Sequence, residues 1–153
     1  MDKVFVQWLT ITSYAKQVAK QVEERGFKPD AIIPILRGGM VPAAILSDLL
    51  NVKTIYPVHC SSYDGMVKRK YPVVDPFTYN IDGKEVLIVD DVLDTGDTFE
   101  AVQASIKRNN PKRMMCASLM VRENSARPSF WSDIAKEGAW IVFPWELNEF
   151  KGD

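Results

Sequence analysis

Apolar positions along the chain alternate between two periods. In "TITSYAKQVAKQVEE" (residues 10–24), Ile11, Tyr14, Val18 and Val22 recur at helical spacing, which predicts a helix capped by Thr10 or Thr12. "DAIIPIL" (30–36) reads as a short buried strand. "GGMVPAAILSDLL" (38–50) follows as a glycine turn feeding a helix, with Pro42 tolerated in the first turn. "NVKTIYPVHC" (51–60) returns to strand character. "KEVLIVDD" (84–91) is apolar on both faces, the pattern of a central parallel strand. "DTFEAVQASIKRNNP" (97–111) places Phe99, Val102 and Ile106 on one side of a helix that Pro111 ends, and "KRMMCASLMV" (112–121) is the next strand. Four strands linked largely by helices predict an α/β fold, an open and mostly parallel twisted sheet with flanking helices and right-handed crossovers.

Two stretches break this rhythm. Residues 61–80, "SSYDGMVKRKYPVVDPFTYN", are long for a structureless connection in a compact domain. They read either as a solvated hairpin or as a mobile lid whose Lys68, Arg69 and Lys70, flanked by Tyr63 and Tyr71, suit an anionic ligand. The tail "WSDIAKEGAWIVFPWELNEF" (131–150) carries three of the four tryptophans, which either close the core or form a stacking surface.

Composition narrows the classes. With 153 residues, 46% hydrophobic and 25% charged, the chain is expected to form a single domain over 1–153. Within it we expect a core over about 1–121, a mobile loop at 61–80 and a hood over about 122–153. No apolar run approaches the roughly 20 residues of a membrane span, and "MDKVFVQWLT" lacks the features of a signal peptide. The expectation is a cytoplasmic protein without a membrane partner. Cys60 and Cys116 lie in apolar, strand-like segments and read as core thiols. A net charge of −1 provides no basic field, which argues against a nucleic-acid partner and requires any anion site to be built locally.

One stretch concentrates charge where ligands bind. In "VLIVDDVLDTGDTFEAV" (86–102), Asp90 and Asp91 end a predicted parallel strand and so face the crevice of an open α/β sheet. Thr95, Gly96, Asp97 and Thr98 then open a helix, whose N–H groups and hydroxyls suit a phosphate; Thr95 and Thr98 also serve as ordinary caps. Two like charges ~4 Å apart repel by ~4 kcal/mol at an effective dielectric near 20, so a partly buried pair needs hydroxyls or a metal ion. A ligand with vicinal sugar hydroxyls, a phosphate and Mg²⁺ meets both halves of the motif. No P-loop or G-x-G-x-x-G pattern occurs.

"VLIVDDVLDTGDT" resembles the phosphoribosyl diphosphate motif of type I phosphoribosyltransferases. "LRGGMVPAAIL", "SSYD" and "WIVFPWE" are similar, in order and approximate spacing, to segments of the short xanthine-guanine and hypoxanthine members. The resemblance implies transfer of 5-phosphoribosyl from phosphoribosyl diphosphate to a purine base, with Mg²⁺ as cofactor and a homodimer or homotetramer as the assembly. It implies that Asp90 and Asp91 face the ribose hydroxyls, directly or through the metal, and that Asp94 accepts the proton of the base. Thr95, Gly96, Asp97 and Thr98 would hold the 5′-phosphate, with Asp97 standing where bacterial relatives commonly have glycine. Arg37, Gly38 and Gly39 would hold the pyrophosphate in a loop with a cis peptide, here Leu36–Arg37. Ser61, Ser62 and Tyr63 would begin the loop that closes over the ribose.

For the base, the resemblance implies a cationic donor to the 6-oxygen, where Arg122 replaces the family's lysine and Arg127 is the second candidate. Trp140 would stack on the purine and Ile141 would offer main-chain contacts. Glu146 reads either as an aid to Mg²⁺ or to a 2-amino group, or as a solvated surface acid. These features favour guanine, xanthine or hypoxanthine. The alternatives are an adenine-specific transferase and a regulator that senses phosphoribosyl diphosphate without turnover.

Overall fold

The computed structural model describes residues 2–65 and 67–150, with the side chains of Tyr63 and Phe150 outside the description. The strands are β1 (Lys3–Phe5), β2 (Ala31–Leu36), β3 (Val58–Asp64), β4 (Val67–Val74), β5 (Glu85–Leu93), β6 (Arg113–Arg122), β7 (Asp133–Ala135) and β8 (Trp140–Val142). The α-helices are α1 (Trp8–Glu24), α2 (Met40–Leu50) and α3 (Asp97–Ile106). Six strands form one sheet in the order β4-β3-β2-β5-β6-β7, and β1 pairs with β8 in a separate parallel pair. Every neighbour in the large sheet is parallel except the β3–β4 hairpin. No helix among the described residues is long and apolar enough to cross a membrane.

Strand alternation divides the core in two. Ile32, Leu87, Ala117 and Leu119 pack against the apolar stripe of α1 and against Leu46 of α2. Their neighbours Ile33, Ile35, Val86, Ile88 and Cys116 turn to the other face and meet Phe99, Val102 and Ile106 of α3. This follows from the period-two geometry of a strand buried on both sides. Cys116 is buried and Cys60 half-buried, both free, as their apolar settings suggested.

The local readings differ from the structure at several points. Helix α1 begins at Trp8, ahead of the proposed threonine caps, and its N-cap Gln7 makes no side-chain bond. Thr12 instead donates its hydroxyl to the Trp8 carbonyl at 3.2 Å, inside the helix. The second predicted strand lies further along, at 58–64, with only an isolated bridge from Ile55 to Ile32 before it. Residues 61–64 and 67–74, read as part of a loop, belong to the β3–β4 hairpin, as the solvated-hairpin alternative has it. Helix α3 ends at Ile106, a short 3₁₀ turn follows, and Asn110 at φ 55° reverses the chain just before Pro111.

Strands of the 122–153 segment, expected as a hood, are paired with the rest of the domain. β7 adds to the edge of the main sheet, while β8 pairs across almost the whole chain with β1, Trp140 opposite Lys3. Helix α1 fastens the intervening segment. Gln21 exchanges bonds with the backbone of Trp131, Ser132 donates to Gln17, and the Tyr14 hydroxyl donates to the Asp133 carboxylate at 2.6 Å.

Burial and the Asp133 contact push the Tyr14 hydroxyl up to about 12. Folding therefore favours its neutral form, and the stabilisation is complete below the unfolded value near 10 and lost as pH rises through 12. Urea titrations should show wild type more stable than Tyr14→Phe at pH 8, with the gap closing between pH 10 and 12.

Candidate active site

The strand order reverses direction between β2 and β5, because the chain moves from β2 to β3 on one side and from β5 to β6 on the other. Loops leaving the carboxyl ends of these two strands diverge, which opens the crevice where α/β sheets bind ligands. The β2 loop is Leu36–Gly39 and the β5 loop is Asp94–Gly96. The Leu36–Arg37 peptide is cis, as the resemblance implied.

Backbone proximity explains both glycines of "LRGG". A Cβ at Gly38 would lie 2.6 Å from the Asp91 carboxyl carbon, and one at Gly39 would lie 2.8 Å from the Ile35 carbonyl oxygen. Any side chain at Gly38 would displace the acid it faces. Asp90 and Asp91 are half-buried, and each carboxylate accepts the backbone N–H of the next residue, at 2.9 and 2.7 Å. Burial, and then the charge of Asp91, push the Asp90 carboxyl well above the ordinary range; burial also raises Asp91. No group of three or more metal-ligating side chains occurs among the described residues. Two adjacent carboxylates still suit Mg²⁺, which keeps several waters and takes further oxygens from a phosphorylated substrate.

Beyond the acids, Gly96 at φ 98° turns the chain into α3, whose N-terminus has no side-chain cap bond. The Thr95 hydroxyl accepts the Asp97 N–H at 3.3 Å, while the Thr98 hydroxyl meets Ser62 of β3 at 3.2 Å. Thr98 is therefore not the helix cap. Residues 94–98 enclose a cavity of about 190 Å³ together with Ser62, Lys68 and Arg69 of the hairpin. Helix-end amides and the two cations offer an anionic group donors here, although Asp90, Asp94 and Asp97 line the same cavity. Ser61 lies in β3 beside Ser62, and Tyr63 continues that strand with its side chain outside the description.

A second cavity, of about 1070 Å³, joins Arg37 and Gly38 to Asp90, Asp91 and the 145–149 segment. Glu146 lies here and accepts the Phe143 N–H at 2.8 Å. Glu146 is half-buried; burial raises its carboxyl, the Phe143 N–H opposes the rise, and the Asp91 charge adds to it. A third cavity, of about 520 Å³, lies between Asp94 and the hood turn 137–139 and includes Arg122, Asn124 and Ser125. Arg122 bonds Asp94 at 3.3 Å. Arg127 is occupied elsewhere, donating to the carbonyls of Arg122, Glu123 and Ser125 and lying 5.3 Å from the Trp131 ring centroid. Trp140 is 42% exposed with the Lys3 ammonium 5.0 Å from its ring, and Ile141 is buried. Neither lines the third cavity, so the structure brings Asp94 and Arg122 together but does not bring Trp140 or Ile141 into that lining. The carbonyls of Lys136 and Ala139, which accept from Arg122, carried no sequence signal, because main-chain acceptors belong to every residue type.

Comparison with known proteins gives this crevice a family. Residues 7–149 match the family model described as a phosphoribosyl transferase domain. The chain is 33% identical to the xanthine-guanine phosphoribosyltransferase of Idiomarina loihiensis, over 94% of this chain and 87% of that protein. Among solved structures it is similar to a purine phosphoribosyltransferase of Pyrococcus horikoshii, 33% identical with TM-score 0.81, covering 95% of each chain. It is also similar to the xanthine-guanine-hypoxanthine enzyme of Helicobacter pylori, 25% identical with TM-score 0.83, covering 97% and 98%.

The raised Asp90 carboxyl carries a stability consequence. Its ionised form is disfavoured by the fold, so the cost is absent below the unfolded value near 4 and grows as pH rises through the folded one. Asp90→Asn should therefore raise the thermal midpoint of the ligand-free protein at pH 7, and the gain should shrink towards pH 4.

Proposed function

The chain belongs to the phosphoribosyl transferase family. From that membership we propose that it transfers 5-phosphoribosyl from phosphoribosyl diphosphate to a 6-oxopurine in purine salvage, giving a nucleoside monophosphate and pyrophosphate. The observation that carries this reading is the acid pair of β5 set between a glycine loop and an open helix N-terminus. The relatives named for xanthine, guanine and hypoxanthine support the choice of base.

In this reading Thr95, Gly96, Asp97 and Thr98 bind the 5′-phosphate through the amides of the α3 terminus and the two hydroxyls. Lys68 and Arg69 close the same cavity from the hairpin. Asp90 and Asp91 take the ribose hydroxyls and would hold Mg²⁺, which would supply positive charge to neutralise the diphosphate. Arg37 and the backbone of Gly38 and Gly39 bind the pyrophosphate. Ser61, Ser62 and Tyr63, at the start of the hairpin, screen the reacting ribose from water.

The purine nitrogen attacks the anomeric carbon as the bond to the pyrophosphate oxygen breaks, and the proton released from the base passes to Asp94. The carboxylate also faces the cationic ribosyl centre while it forms. Arg122 donates to the 6-oxygen, Trp140 stacks on the ring, and Ile141 contributes main-chain contacts. Adenine presents an amino group where this site offers a donor, which disfavours it. A cytoplasmic location and a homodimer or homotetramer belong to the same reading.

Ultraviolet absorbance with phosphoribosyl diphosphate, Mg²⁺ and each purine in turn should show conversion of at least one of guanine, hypoxanthine and xanthine, with adenine far slower. No conversion of any of the four would overturn the reading. Asp94→Asn should lower kcat by about 100-fold or more while leaving the dissociation constant of phosphoribosyl diphosphate nearly unchanged. Equal losses in both would remove Asp94 as the proton acceptor.

A further inference from the structure

Arg122 is the last residue of β6, and its guanidinium spans two parts of the site. Its Nε forms an ion pair with Asp94 Oδ1 at 3.3 Å, and Nη1 donates to the main-chain carbonyls of Ala139 and of Lys136, the latter at 3.4 Å. No acceptor among the described residues meets its Nη2 group. The side chain is 24% exposed, whereas Asp94 is 68% exposed on a turn. Behind it, Arg127 bonds the carbonyls of Arg122, Glu123 and Ser125, and the Glu123 N–H donates to Ala135 at 3.0 Å. The position of Arg122 is thus fixed from its own backbone outward.

We propose that Arg122 is the positioning residue of Asp94: one planar guanidinium ties this carboxylate to the 136–139 turn that leads into Trp140, so the base cavity and its proton acceptor form a single unit. The inference rests on the phosphoribosyl transfer reading above and adds to it a task distinct from contact with the base. A partly exposed ion pair alone adds little stability. Its effect here is geometric, because an exposed carboxylate without a partner samples several rotamers and a misplaced acceptor slows proton transfer steeply. Arginine suits the task because its fork reaches the carboxylate and two carbonyls at once while leaving Nη2 for the 6-oxygen. Lysine, a compact point charge, cannot hold both walls in that way.

A double-mutant cycle on kcat with hypoxanthine tests this, alongside hydrogen exchange of the ligand-free protein. Arg122→Met should lower kcat by about 10-fold or more, with the KM of phosphoribosyl diphosphate within about threefold. Added to Asp94→Asn, it should cost several-fold less than it costs alone, because the positioning share of its effect acts through that carboxylate and only the share from the 6-oxygen contact remains. In Arg122→Met, amides 94–96 and 136–139 should exchange faster together. Additive losses in kcat, or unchanged exchange in either segment, would overturn the positioning role. A wild-type protein that converts no purine would overturn the functional reading instead, and the exchange pattern would still decide whether Arg122 joins the two walls.

Discussion

Two carboxylates at the end of one strand repel each other, and much of the local backbone is arranged around that repulsion. At an effective dielectric near 20, charges ~4 Å apart oppose one another by ~4 kcal/mol, a large share of a small domain's net stability. The chain keeps the acids together, and among the described residues neither carboxylate forms an ion pair, although Arg37 lines the same cavity. Gly38 approaches Asp91 so closely that no side chain fits between, and the groups around the pair are backbone amides and hydroxyls. Such a site is complementary to a ligand that brings its own hydroxyls, anionic groups and metal. The free protein is correspondingly less stable than its core alone would make it.

The fold concentrates these features without long-range adjustment. β5 is held on one side by β2 and on the other by β6, with both faces covered, so its carboxyl end is a rigid platform. The reversal of strand order at β2 and β5 places the glycine loop, the acid pair and the α3 N-terminus around one crevice. The hairpin reaches the same crevice through Ser62, Lys68 and Arg69, and the hood reaches it through Arg122. Three cavities radiate from Asp90, Asp91 and Asp94, each with a different chemistry: an amide-rich end with cations, a glycine loop with acids, and a turn lined by carbonyls. A substrate composed of phosphate, pyrophosphate and base matches that division.

Much of this was legible in the chain itself. The segments 30–36, 84–91 and 112–121 read correctly because strands buried on both faces give continuous apolar runs, and the α3 stripe at Phe99, Val102 and Ile106 is strict. The hairpin was one of two readings of 61–80 and could not be chosen from the sequence, because "VKRKYPVV" is exposed along most of its length and carries no burial stripe. The start of α1 was misplaced because Gln7 makes no capping contact, so the first turn held no cap signal to find. Pairing of Trp140 with Lys3 joins opposite ends of the chain and leaves no local trace. The base side of the site was least legible for a related reason. Arg122 could be named from its position, but its partners include two main-chain carbonyls that no residue type announces.

The account stands on the claim that the Asp90–Asp91 pair anchors phosphoribosyl diphosphate through Mg²⁺. Isothermal titration of that ligand into wild type and into Asp90→Asn/Asp91→Asn, each with Mg²⁺ and with chelator, tests it directly. The prediction is one-to-one binding to wild type that weakens sharply in chelator, and weak, metal-insensitive binding to the double variant. Equal affinity in all four titrations would contradict the account.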